Sequence, residues 1–173
     1  MFHYVPVPPW LPSFILALLI TQRVLELVIA RRNTARLLEN GAHEVGAEHY
    51  PYMLMLHTFW IMALVAWVIA VPPRVNAYFF LFYAILLGLR VWVISSLGPF
   101  WTTRIITIPN LPLVRRGPYK YVRHPNYIVV AAEIAVVPLM FAAWEIALIF
   151  SALNAWMMRV RIGAENKALA ARA

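Results

Sequence analysis

Residues 50–73, "YPYMLMLHTFWIMALVAWVIAVPP", contain no Asp, Glu, Lys or Arg. A helix that crosses a bilayer needs about 20 mostly apolar residues, and hydrocarbon offers the backbone no hydrogen-bond partner except itself. The segment is therefore read as a membrane-spanning helix. Composition extends that reading to the whole chain. With 63% hydrophobic and 13% charged residues among 173, there is more apolar surface than one water-soluble core of this size can hide. The expected fold class is all-α, a polytopic membrane protein. Cys is absent, which excludes disulfides, thiolate metal sites and a thiol nucleophile. The net charge of +8 suits anionic headgroups but names no partner.

Three further apolar stretches fill out the topology. One covers about 11–31 and is interrupted by Gln22, Arg23 and Glu26, and another covers 76–97 and contains Arg90. The stretch 127–158 is too long for one span and is read as two helices turning near 141–144, which makes about five spans with a closing hairpin. Loop charge tests this count. Successive non-membrane segments carry no Lys or Arg, then three (Arg31, Arg32, Arg36), one (Arg74), five (Arg104, Arg115, Arg116, Lys120, Arg123), none, and four (Arg159, Arg161, Lys167, Arg172). Poor and rich segments alternate, so the positive-inside rule puts the N-terminus outside and both basic C-terminal segments in the cytoplasm. The first charge is Arg23, with no basic leader before it, so the first apolar segment reads as retained. The expected location is a bacterial inner membrane. No internal repeat divides the chain, so 1–173 reads as one membrane-embedded domain, three spans in 1–97 and a basic loop, hairpin and tail in 98–173.

The stretch "RRGPYKYVRHPNYIVVAAE", residues 115–133, crowds basic, phenolic and imidazole side chains before an apolar run that holds Glu133. By the topology above it shares a membrane face with the final basic tail, so the two can build one site. On the last helix Asn154, Met158, Arg161 and Glu165 recur at spacings of four, three and four, which aligns them on one face. Asn126 and Glu133 share a face of the preceding helix. Simpler readings compete. Arg104, Arg115 and Arg116 read as topology signals, and Tyr121 as part of an interfacial aromatic belt. Arg161 and Glu165 fit a surface pair as well as a site. Gly117 and Pro118 are turn residues, and Pro125 suits the first position of a helix. His57 reads as a hydrogen-bonded core histidine. Arg23 and Glu26, one turn apart, can satisfy each other, whereas Glu133, deeper, reads as part of a pocket. No second ligand lies at metal-binding spacing from His124, so no metal site is expected.

"GPYKYVRHPNY", followed by a hydrophobic hairpin and "RIGAENKAL", resembles the isoprenylcysteine carboxyl methyltransferase family of integral-membrane enzymes, with its G-x-Y-x-x-x-R-H-P-x-Y and R-x-x-x-E motifs. Gly117, Tyr119, Arg123, His124, Pro125 and Tyr127 fill the first motif, and Arg161 and Glu165 the second. "QRVLELVIARRN" and "GAHEVGAEHY" are similar to a bacterial branch that methylates lipid-like polyketides such as alkylpyrones and phenolic lipids. The chain departs from the family at Val129, where Gly is frequent, and at Asn166, where a second Glu is frequent. The resemblance implies transfer of the S-adenosylmethionine methyl group to an oxygen of a lipid acceptor, with the cofactor held between the basic motif and the end of the last helix. It implies catalytic roles for Arg161 and Glu165, cofactor contacts from the first motif, and an acceptor entering from the bilayer; by depth and helix face, Glu133, Asn154 and Met158 are the expected acceptor contacts.

The residues suit that chemistry. Arg123 and His124 can answer the cofactor's carboxylate. "LPLV", 111–114, with Val114 at its end, and Tyr127 can sandwich adenine. Arg161 can hold an acceptor that arrives ionised, while a phenol would need a base such as Glu165. A sterol-reductase-like enzyme using NADPH, or a non-catalytic lipid-binding membrane protein, would also account for a basic cytoplasmic loop. The expected partners are the membrane and a lipid-like acceptor, with neither nucleic acid nor an obligate protein partner implied.

Overall fold

A computed structural model describes residues 4–108 and 112–170. Five helices carry the fold: α1 (Trp10–Glu39), α2 (Tyr50–Ala70), α3 (Ala77–Leu97), α4 (Pro125–Met140) and α5 (Trp144–Ala170). All but α4 are long and apolar enough to cross a membrane, and α4 is a shorter apolar helix of 16 residues. The expected all-α, polytopic architecture is present, and the hairpin turns where the sequence placed it.

Two boundaries differ from expectation. α1 has 30 residues, about 45 Å at 1.5 Å per residue, so Arg31, Arg32 and Arg36 ride on a continuing helix rather than in a loop. Neither Gly nor Pro interrupts residues 13–40, and the helix ends only before Gly41, whose φ of 82° an L side chain rarely adopts. α5 likewise continues to Ala170, so the basic tail is helical there, while Arg172 lies outside the described residues.

Polar side chains fix where the chain turns. Asn76 caps α3 by accepting from the backbone N–H groups of Tyr78 (3.0 Å) and Phe79 (3.2 Å). At the other end of α3, Asn33 of α1 donates to the carbonyls of Gly98 (3.2 Å) and Trp101 (2.8 Å) and holds the exit loop. Two antiparallel ribbons, too short for sequence alternation to signal, tie the loops at opposite ends of the bundle. β1 (Tyr4–Pro6) pairs with β3 (Arg74–Asn76), and β2 (His43–Glu44) pairs with β4 (Ile106–Thr107). Beside the α4–α5 turn, Trp67 donates to the Phe141 carbonyl (3.0 Å) and Tyr4 to that of Leu139 (3.0 Å).

The apolar core fills only one half of the bundle. Leu16, Leu19, Trp60, Leu64, Tyr83, Val137 and Met140 pack there, toward the β1–β3 end. Large apolar side chains such as Leu81, Val91, Ile128, Leu148 and Trp156 cover the outside, as a lipid-facing surface requires. The other half, toward β2–β4, is polar and partly hollow.

Candidate active site

The charges inside the spans meet at one depth. Arg23 of α1 reaches Glu26 at 3.0 Å and Glu133 at 2.7 Å. Arg90 of α3 binds both oxygens of Glu26, one at 2.6 Å, and Glu133 at 2.9 Å, while Gln22 donates to Glu26 at 2.9 Å. Two guanidiniums thus offset two carboxylates and link α1, α3 and α4, so the separate cost of each charge in hydrocarbon is met by a partner. Arg23 and Glu26 do satisfy each other, but within a network of four. Arg90 lies seven residues before the end of α3, and Glu133 eight after the start of α4, which is about 10–12 Å of helix in both cases.

Above this floor lies an inner chamber of about 260 Å³, and beside it an outer one of about 350 Å³. Arg23, Glu26 and Arg90 line the inner chamber from below, with His57 of α2, Asn126 and Tyr127 of α4, and Asn154, Met158 and Arg161 of α5 around it. Pro112, Leu113 and Val114 form an apolar wall of the outer chamber, and Arg115, Lys120 and Arg123 its basic rim. The two chambers share Leu97, Phe100, Ile106, Tyr119, Arg123 and Glu165. Of "LPLV", Leu111 lies outside the described residues.

Eight of the twelve residues expected to contact cofactor or acceptor therefore gather on the inner chamber: Tyr119, Arg123, His124, Tyr127, Asn154, Met158, Arg161 and Glu165. Val114 lines only the outer one. Three line neither. Gly117 is a packing residue: its φ is 56°, and a Cβ there would run into the Ser96 side chain and lie 3.3 Å from Trp92 Nε1. Pro125 is buried as the first residue of α4. Glu133 is fully buried behind the floor and reaches the chamber only through the two arginines it holds.

The His124 ring is held on both sides, its Nδ1 3.5 Å from Glu165 Oε2 and its Nε2 3.1 Å from Asn166 Oδ1. The hydrogen bond to Glu165 raises the imidazole pKa above its ordinary 6.5, and burial opposes that shift. Burial pushes up the Tyr119 phenol, as does the nearby negative charge of Glu165. Arg161 is 5% exposed and donates Nη2 to the Thr103 carbonyl at 2.8 Å, while its Nε is buried without a partner among the described residues. The surface-pair reading of Arg161 and Glu165 fails on that burial.

The loop after α3 closes the chambers. Arg104 pairs with Glu44 at 2.7 Å and lies over the Tyr50 ring at 4.2 Å, and Arg116 donates Nε to the Ser96 carbonyl at 2.5 Å. Both make structural ties, and Arg115, Arg116 and Tyr121 are exposed. Sequence reasoning named Asn166 only as a departure from the family pattern, and missed its contact with His124, as well as Thr103 and the place of His57. Asn166 directly follows a motif residue, which was a usable signal, but a backbone carbonyl such as that of Thr103 leaves none.

Residues 77–171, more than half of the chain, match the isoprenylcysteine carboxyl methyltransferase family. The chain belongs to that family. It is also 38% identical over 158 residues, 90% of this chain and 94% of the relative, to the uncharacterized protein YpbQ of Bacillus subtilis (strain 168). No solved structure matches it. Family membership makes the chain an integral-membrane protein of a methyltransferase family, and the matched segment includes every residue of both motifs.

Proposed function

We propose that the chain is one membrane domain that transfers the S-adenosylmethionine methyl group to an oxygen of a membrane-dissolved lipid, with its site at the cytoplasmic face of a bacterial inner membrane. The observation that carries the reading is the pair of chambers meeting at Tyr119, Arg123 and Glu165. A transfer between a water-soluble donor and a lipid acceptor needs two adjoining compartments of different polarity.

The residues suit the donor. Arg115, Lys120 and Arg123 supply cations for its carboxylate, and Pro112, Leu113 and Val114 an apolar wall for adenine. S-adenosylmethionine supplies an electrophilic methyl on a sulfonium. At the junction, Glu165 by its charge and the Tyr119 ring by its π face favour a positive sulfonium. His124, held by Glu165 and Asn166, orients that carboxylate and is a positioning residue here.

The inner chamber suits the acceptor head. Leu54 and Thr58 line it and are also exposed on the outside of α2, which gives a lateral opening for an alkyl tail. Arg161, with an unpartnered buried Nε, can hold an ionised or hydrogen-bonding acceptor oxygen beside Asn154 and Met158. Glu133 acts behind the floor by fixing Arg23 and Arg90. Most of the acceleration then comes from holding two reactants in line in a site closed to water. Similarity to the polyketide-methylating branch favours alkylpyrones or phenolic lipids over prenylcysteine, and Asn166 in place of a second acid agrees with that.

The deciding experiment uses the full chain in lipid nanodiscs. Stabilisation by S-adenosylhomocysteine, with methyl transfer to an alkylpyrone, an alkylphenol or a farnesylated cysteine, is the expected result. Stabilisation by NADPH in place of S-adenosylhomocysteine would overturn the reading.

A further inference from the structure

His57 stands apart from the other polar groups of the inner chamber. It lies seven residues into α2, about 10 Å of helix and the depth of the charged floor. Its Nδ1 is 2.8 Å from the backbone carbonyl of Met53. A carbonyl only accepts, so Nδ1 carries the proton of that bond, and in the neutral ring Nε2 is left with a lone pair. The ring lines the inner chamber, and Nε2 makes no hydrogen bond to any described residue.

The other candidate bases there are engaged. Glu26 is enclosed by Arg23, Arg90 and Gln22. Glu133 is behind the floor. Glu165 faces His124, whose second nitrogen meets Asn166. The charged groups around His57 come from every neighbouring helix: Arg23 and Glu26 from α1, Arg90 from α3, Glu133 behind it from α4, and Arg161 within electrostatic reach from α5.

We infer that His57 is the general base for a hydroxyl acceptor bound in the inner chamber. This rests on the methyltransferase reading and adds to it the group that takes the proton. An acceptor phenol or enol forms its O–C bond as the methyl's C–S bond breaks with the electron pair going to sulfur, and the O–H proton passes to Nε2. A carboxylate acceptor arrives already ionised and does not use His57. Asn126, whose buried Oδ1 has no partner among the described residues, lines the same chamber and offers the hydroxyl a second acceptor while it is being positioned.

The test compares His57→Asn, which keeps a donor near the Met53 carbonyl but removes Nε2, with His57→Gln, which places a non-titrating amide near Nε2. Full-length protein in nanodiscs is assayed for S-adenosylhomocysteine binding, for single-turnover methyl transfer against pH, and for ionisation of a bound alkyl-nitrophenol by absorbance with S-adenosylhomocysteine present. Both variants should bind S-adenosylhomocysteine as the parent does, and should lose about 100-fold in transfer to an alkylphenol near neutral pH. That deficit should shrink as pH rises through the phenol's own pKa, and transfer to farnesylated cysteine should fall by far less than transfer to the alkylphenol. The parent should ionise the bound nitrophenol at lower pH than empty nanodiscs do, and the variants should not. Parent-like rates and pH profiles in both variants would overturn the inference, as would a parent that methylates only carboxylates. If neither variant binds S-adenosylhomocysteine, the parent's nitrophenol signal decides, and an unshifted signal sinks the proposal. A parent that itself fails to bind S-adenosylhomocysteine refutes the methyltransferase reading instead, which separates the two failures.

Discussion

Replacing Arg90 with Met tests whether the intramembrane network is held by charge balance or by hydrogen bonds alone. Arg90 is 5% exposed and touches both oxygens of Glu26 and one of Glu133. Met fills much of the same volume without charge. Its introduction leaves two buried carboxylates sharing Arg23, one negative charge in excess. An uncompensated buried charge of this kind costs about 3–5 kcal/mol. If only three hydrogen bonds were lost, at about 0.6 kcal/mol each within membrane proteins, the cost would be about 2 kcal/mol.

The size of the loss is less informative than its response to a second change. Glu26→Gln alone leaves an excess positive charge and should destabilise. In the Arg90→Met background it removes the excess negative charge, keeps Arg23 on Glu133, and should restore at least about 1 kcal/mol. The assay is reversible unfolding of the four proteins in mixed micelles, read by tryptophan fluorescence. A double variant whose loss equals the sum of the two single losses would refute charge balance as the organising term.

Other outcomes follow from the same geometry. Cysteines placed at Lys120 and Lys167 should be labelled only from the cytoplasmic side of oriented vesicles, and labelling of either from the opposite side would break the shared-site argument. His124 has a pKa raised by Glu165, so their contact stabilises fully below the unfolded value near 6.5 and is lost as pH rises through the higher folded value. Glu165→Gln should therefore flatten that part of the Tm against pH curve, measured by calorimetry. Arg161→Ala should lower methyl transfer at saturating cofactor while leaving S-adenosylhomocysteine affinity near that of the parent, and Arg161→Lys should rescue it only in part, because an ammonium lacks the two-pronged guanidinium grip. Gly117→Ala should weaken S-adenosylhomocysteine binding by displacing the turn from Ser96, and Ser96→Gly in the same protein should recover part of the loss, since the φ of 56° remains strained.

Architecture was legible because hydropathy acts over whole segments. A run without charge, a proline opening a helix and an over-long apolar stretch each leave a local mark, so the five helices and the α4–α5 turn could be read directly. The far end of α1 was misread because a helix leaving the membrane changes composition without changing conformation. Six of the motif residues, Tyr119, Arg123, His124, Tyr127, Arg161 and Glu165, border one chamber, but the split between lining and support was not local. Gly117 and Glu133 carry chemistry-like signatures and turn out to hold other groups in place. His57 looked like a core residue, and its hydrogen bond to Met53 fits that reading, yet its ring borders the chamber. Which side of a helix faces a void depends on neighbours far away in sequence.

Depth measured from a single membrane face would have narrowed that gap. Arg90 lies seven residues before the end of α3, His57 seven after the start of α2 and Glu133 eight after the start of α4, so an alternating helix direction alone puts them at one level. Polar residues at matching depth on different spans are expensive apart and cheaper together, which makes coincidence of depth an argument for contact. The site also divides along the chain. The family match begins at residue 77 and takes in both motifs, Arg90 and Glu133, whereas Arg23, Glu26, Met53 and His57 come from α1 and α2, before it. Family membership therefore bears on the motif residues, Arg90 and Glu133, and not on Arg23, Glu26 or His57. What the inner chamber accepts must be argued with α1 and α2 as well, which add Arg23, Glu26 and the free imidazole lone pair to the family-matched Arg90, Asn154, Met158 and Arg161.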